Sequence, residues 1–154
     1  QQGSIVVVAA GNEGSNATKY VPASCNNVIA VSAVDEELQK AVFSNYVNDI
    51  KFKVAAPGVN IYSTVPFNEY RPMNGTSMAT PYVAGLIGIM RSFEPDLTTE
   101  DAYRILSSTG IDTKDTDKTG KFIQPLQALN KIKTKGVKHG VSRFFNKLVT
   151  IKPD

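Results

Sequence analysis

The sequence predicts an α/β domain built on a largely parallel sheet, and three observations carry that expectation. Ser4 to Ala10 (SIVVVAA) and Val28 to Val34 (VIAVSAV) are continuous apolar, β-branched runs without polar alternation, the pattern of strands buried on both faces. From Thr76 the period changes from strand to helix. Hydrophobic residues make up 42% of the 154 and charged residues 20%, a soluble globular balance that excludes collagen-like, disordered and membrane classes.

The elements follow in order. The first strand is entered without a basic region before it, so it reads as a strand met in mid-fold and not as a signal peptide. Gly11 and Gly14 end it. After the second strand, Phe52 to Ala56 forms a third that stops at Pro57-Gly58, and Ile61 to Val65 a short fourth. Parallel strands need crossovers of a dozen residues or so, usually helical, and such segments are scarce between these runs. Part of the architecture is therefore expected outside this chain. From Thr76, Tyr82, Val83, Leu86, Ile87, Ile89, Met90 and Phe93 surround a helix that also carries Ala79, Ala84, Gly85 and Gly88. Apolar on nearly all sides, it is expected to be central and buried. Its longest apolar run, Val83 to Met90, is far short of the roughly 18 residues of a membrane span. Glu94-Pro95-Asp96 ends it. Thr98 with Asp101 makes a variant capping box for an amphipathic helix bearing Ala102, Tyr103, Ile105 and Leu106. A polar loop over 109–121 leads to a short helix around Pro125 to Ile132, and 137–149 has the spacing of another, with Val141, Phe144, Phe145 and Leu148 on one face.

Charge divides the chain unevenly. Residues 1–113 carry seven basic and eleven acidic groups, whereas 114–154 carry ten and three. We accordingly separate a domain over 1–133 from a basic C-terminal extension over 134–154. Phe122, Phe144 and Phe145 are too sparse for a base-stacking platform, so nucleic acid is not an expected partner, and the extension reads as a solvated basic segment. Cys25, the single cysteine, cannot form an intramolecular disulfide and reads as an inert small hydrophobe. Asp112, Asp115 and Asp117 lack the spacing, glycine and closing Glu of a calcium loop, so no metal ligands are assigned.

Two segments stand where chemistry could sit. Ala10-Gly11-Asn12-Glu13-Gly14 puts an amide at the C-terminal end of a buried strand, where parallel α/β sheets place their sites; a plain turn is the other reading. Asn74-Gly75-Thr76-Ser77-Met78-Ala79-Thr80-Pro81 sets a serine in the first turn of the buried helix, close to free N–H donors able to hold an oxyanion. There the structural reading is that Thr76 or Ser77 caps the helix.

Taken together, GTSMATPYVAG and the VVVAAGNEG some sixty residues before it resemble the subtilisin-like serine proteases, over about residues 3–132. VIAVSAVDEE, FSNY and VAAPGVNIYST fit the same family. The resemblance implies the C-terminal part of a subtilisin-like fold, with the buried helix following the nucleophile. It makes Ser77 the nucleophile and Asn12 the side-chain donor to the oxyanion, with the backbone N–H of Ser77 as second donor. Val8, Ala9, Ala10 and Gly11 would line one side of the substrate pocket. It further implies a polypeptide substrate, secretion or a cell-surface location, an inhibitory propeptide, no required cofactor, and the structural calcium that subtilases commonly bind.

The departure from the family is the base. Subtilases take it from a histidine preceding the serine, oriented by an earlier aspartate. Here the only histidine is His139, sixty-two residues after Ser77. Either the N-terminal half of the same protease, with its His and Asp, lies outside this chain, or His139 completes a triad in the order serine, acid, histidine. The latter order calls for G-x-S-x-G, and alanine closes the motif here. A catalytically silent binding or scaffolding module is the third reading. We take the first: peptide-bond hydrolysis through an acyl-enzyme on Ser77. Tyr82, where relatives often have histidine, and Gly120-Lys121-Phe122, in place of a glycine-x-glycine, are lesser departures.

Overall fold

The computed structural model describes residues 3–133. The 137–149 helix, His139 and the 134–154 extension lie outside the described residues.

Every residue of β2 (Val28–Val34) is buried, which explains why its sequence shows no alternation. It lies between β1 (Val6–Ala9) and β3 (Lys53–Pro57), and a short β6 (Lys121–Phe122) extends the sheet beyond β3. All three pairings are parallel, with Val8 opposite Ala30 and Ser32 opposite Ala55 fixing the register. β4 (Ile61–Val65) does not join this sheet. It pairs antiparallel with β5 (Glu69–Met73) in a separate hairpin.

The alternation of β2 then sorts the core. Ile29, Val31 and Ala33 face α1 (Thr76–Phe93) and α2 (Thr99–Thr109), packing with Val83, Leu86, Ile87, Met90, Ile105 and Leu106. A further helix, α4 (125–133), closes this layer with Ala128 and Ile132. On the other face Val28 and Ala30 meet Val8, Ala10, Ala17, Ala23, Val47 and Ile50, contributed mainly by loops. Short α3 (Thr116–Thr119) lies on that face, where the Ser32 hydroxyl donates to the Thr119 carbonyl at 2.8 Å. Among the described residues the helices thus flank the sheet unequally, three on one side and two short turns, α3 and the 3-10 turn Ala17–Lys19, on the other. The β1–β2 connection is a loop with a single 3-10 turn at Ala17–Lys19, consistent with the shortage of crossover helices in the sequence.

Two expectations are met closely and one is corrected. α1 ends at Phe93, with Glu94 as its C-cap, and Thr98 caps α2, accepting from Asp101 N and donating to its carboxylate. α1 is not enclosed, however. Among the described residues its outer face has no covering element, leaving Tyr82 47%, Ile89 51% and Phe93 44% exposed, and a Cβ added at Gly85 or Gly88 would meet open space. A helix apolar all round needs two layers, and the sheet of this chain supplies one.

Candidate active site

Strand ends converge on the N-terminus of α1. β1 runs into the Gly11–Gly14 loop that carries Asn12. Gly58, just beyond β3, accepts from Gly75 N at 2.8 Å and so ties the sheet to the residue that caps α1. Gly75 has φ +156° and ψ +155°, a region open essentially to glycine alone.

The first four N–H groups of an α-helix lack helical acceptors. In α1 these belong to Gly75, Thr76, Ser77 and Met78. Met78 and Ala79 both reach the Gly75 carbonyl, at 3.0 and 3.3 Å. Thr76 N donates to Asn12 Oδ1 at 2.9 Å. The cap therefore comes from 64 residues away, and the local capping role offered for Thr76 or Ser77 is not the one adopted: no side chain at the N-cap bonds the helix. The N–H of Ser77 is left over. Its hydroxyl is exposed and engages no acceptor or donor among the described residues.

Asn12 is fixed in one orientation by this chemistry. Its Oδ1 takes two donors, the N–H and the hydroxyl of Thr76, each at 2.9 Å, and the same hydroxyl accepts from Gly11 N at 3.3 Å. An N–H donor requires the amide oxygen, so Nδ2 must point away from Thr76. It points toward Gly75. A Cβ placed on that glycine would stand 3.7 Å from Ser77 N and 3.9 Å from Asn12 Nδ2. Two unspent donors thus bracket one small space beside the serine, an arrangement suited to an oxygen that gains negative charge.

On its other side Ser77 opens into a cavity of about 300 Å³ between β4 and the first turns of α1, lined by Ile61, Tyr62, Ser63, Met78, Pro81 and Tyr82. These residues include no imidazole and no carboxylate, and no histidine occurs among the described residues. Of the residues assigned to the substrate pocket, Val8 and Ala10 are buried in the loop-side core, while Ala9 and Gly11 are half-buried at the edge of the sheet. No group of three or more His, Cys, Asp or Glu side chains among the described residues could hold a metal ion. Cys25 is free and exposed.

Two side chains have roles at this site that the sequence does not announce. Thr76 is fully buried and orients Asn12, whereas the sequence offers it only as a cap of its own helix. Asn45, also fully buried, bonds the loop on either side of Asn12; its signal was a lone amide in FSNY.

A sequence profile described as the subtilase family matches residues 1–145. Subtilisin DY of Bacillus licheniformis is 41% identical over 129 residues, covering 82% of this chain and 46% of that protein. An extracellular protease of Xanthomonas campestris pv. campestris is 42% identical over 112 residues, 68% of this chain and 19% of its own length. A solved structure described as proteases from Pseudoalteromonas arctica PAMC 21717 matches with a TM-score of 0.76 at 31% identity, covering 84% of this chain and 43% of that one. The chain spans less than half the length of each of these proteins.

Proposed function

The chain belongs to the subtilase family, and from that premise we propose that it supplies the nucleophile and the oxyanion hole of a serine endopeptidase. Ser77 Oγ attacks the scissile carbonyl of a polypeptide, the tetrahedral intermediate collapses with cleavage of the peptide C–N bond, and the amine fragment leaves with the proton taken from the serine. Water then hydrolyses the acyl-enzyme and frees Ser77 and the carboxylic acid. Asn12 Nδ2 and the N–H of Ser77 stabilise the tetrahedral oxyanion, with the partly exposed Ala9 and Gly11 along one wall of the substrate site; Val8 and Ala10, buried behind them, do not reach it. The histidine that takes the serine proton and the aspartate that orients it come from the N-terminal half of the same protease. That half also covers the outer face of α1. We place the whole protease outside the cytoplasm, secreted or at the cell surface and held by an inhibitory propeptide before activation; the Xanthomonas relative is by name extracellular. No helix among the described residues is long and apolar enough to cross a membrane.

One observation carries the reading. The carbonyl oxygen of Asn12 is occupied by Thr76, which leaves its Nδ2 as an unspent donor on the side of Gly75 and Ser77 N. A turn residue would not need that orientation.

The test separates the two side chains in the full-length protease. Ser77→Ala should abolish acyl-enzyme formation and fluorophosphonate labelling. Asn12→Ala should still be labelled, more slowly, with kcat reduced by about 10² to 10³ and KM little changed, the loss that removing such a donor causes in subtilisin, itself a family member. Asn12→Asp should be worse, since it aims a like charge at the oxyanion. Unchanged kcat in Asn12→Ala would reduce Asn12 to a turn residue.

A further inference from the structure

We propose that Asn45 is a positioning residue for the oxyanion hole: it touches no reacting atom and acts by holding the loop on which Asn12 sits. The proposal rests on the reading of Asn12 given above.

A carboxamide can make four hydrogen bonds, two given and two received. Asn45, with no exposed surface, makes all four, and all go to residues 10–15. Its Nδ2 donates to the Ala10 carbonyl at 3.0 Å and to the Glu13 carboxylate at 2.7 Å. Its Oδ1 accepts from Glu13 N at 3.0 Å and Ser15 N at 2.9 Å. Its backbone N–H adds a fifth bond, to the Gly11 carbonyl at 3.0 Å. Asn12 lies between these anchors, bonded to none of them. The clamp therefore fixes where the backbone delivers Asn12, while Thr76 fixes how the amide is turned.

Sterics give the same assignment. A Cβ on Gly11 would lie 2.2 Å from Asn45 Nδ2, so the glycine beside Asn12 leaves its side-chain volume to this amide. Asn45 itself is held from behind. The Ser44 hydroxyl accepts from Ala33 N at the end of β2, and Lys40 Nζ donates to the Ala41 and Ser44 carbonyls at 3.0 and 2.7 Å. The sequence requires an amide here and not an acid. Aspartate could serve both loop N–H groups, but it would lose the donors to Ala10 and would face the Glu13 carboxylate with a like charge.

Two experiments in the full-length protease decide it. The first measures kcat and KM for Asn45→Ala alone and combined with Asn12→Ala. Small displacements of a catalytic group are costly, so Asn45→Ala alone should lower kcat by about 10-fold or more with KM nearly constant. Added to Asn12→Ala it should lower kcat no further, because there is nothing left to position. Equal losses in both backgrounds would mean that Asn45 only stabilises the fold, and would overturn the proposal while leaving Asn12 in its role. If Asn12→Ala by itself leaves kcat unchanged, the oxyanion reading falls and this proposal falls with it. The second experiment exchanges the amide and the acid. Asn45→Asp should lose activity, and adding Glu13→Gln, whose amide can donate back, should restore most of it. Failure of that rescue in a folded protein would overturn the clamp, even if Asn45→Ala proves too unstable to assay.

Discussion

The two sides of the candidate site are built differently. On the side of Asn12, polar atoms are spent in pairs: its oxygen on Thr76, the Thr76 hydroxyl on Asn12 and Gly11, and the Asn45 amide on four atoms of the loop. On the side of Ser77 the hydroxyl faces an open cavity to which the described residues bring no imidazole and no carboxylate. Charge stabilisation needs only fixed dipoles, and three segments of one chain can hold those rigid through mutual bonds. Proton transfer needs a group with a tuned pKa at the nucleophile, which no local backbone network can replace. On the proposed reading, an oxyanion side can therefore be complete within a piece of an enzyme, whereas a nucleophile side cannot.

The largest effect should come from supplying what the Ser77 side lacks. This chain alone should hydrolyse no peptide substrate, and co-expression with the N-terminal half of the protease should restore turnover. In subtilisin, loss of the histidine alone costs about 10⁶ in kcat, and a gap of that order is expected here. The exposed Tyr82, Ile89 and Phe93 face should also bind a hydrophobic dye in the isolated chain and lose it on complementation. Ordinary turnover by the chain alone, abolished by His139→Ala, would erase the asymmetry and make the extension part of the site.

Gly75→Ala should strike both sides at once, with a smaller effect. The backbone conformation there costs a non-glycine residue about 1–3 kcal/mol. The new methyl would press on Met78 Sδ at 3.3 Å and would occupy the space bracketed by Ser77 N and Asn12 Nδ2. In the full-length protease kcat should fall by about 10² or more, the scale of losing an oxyanion donor, while the protein remains folded at 25 °C. A drop in melting temperature with kcat intact would show that the oxyanion does not sit in that space.

Much of this was legible before the structure. β1, β2 and β3 are legible as apolar runs, the first and third ended by glycine or proline, whereas β6 is only two residues long and starts inside the segment read as a polar loop. Asn12 and Ser77 stand out as polar groups where buried elements begin or stop. β5 did not, because Glu69–Met73 is mostly exposed and contains Pro72, and its turn uses Phe67 and Asn68 at positive φ where glycine would have been the signal. Thr76 and Asn45 were hidden for another reason. Their significance lies in bonds spanning 30 to 65 residues, which leave no periodic trace. The exposed face of α1 misled the expectation of burial because composition reports what a helix prefers, not which layers a given chain contains.

The smallest effect should distinguish the two sides by pH. Lys40 holds the turn that carries Asn45, and its pKa is depressed below the ordinary lysine value, first by burial, next by the nearby Lys118, against a weaker pull from Asp115. A depressed pKa means that, between the folded value and about 10.5, the unfolded chain binds more protons than the native one. Stability contributed through Lys40 should therefore rise with pH across that window and be lost as pH falls through the folded pKa. Lys118 opposes this in the bulk curve, since Asp115 raises its pKa and its contribution is lost on going alkaline. A difference measurement isolates Lys40. In a Ser77→Ala background, which prevents self-digestion, urea unfolding of the parent and of Lys40→Met at pH 8 and pH 10.5 should show the parent gaining relative to the variant at the higher pH. The same comparison with Tyr62→Phe, on the wall of the open cavity, should show a much smaller change, because no bond of the oxyanion loop depends on it. A parent that loses ground to Lys40→Met at pH 10.5 would mean that the ammonium charge itself holds the turn, and that the Asn12 side weakens under alkaline conditions.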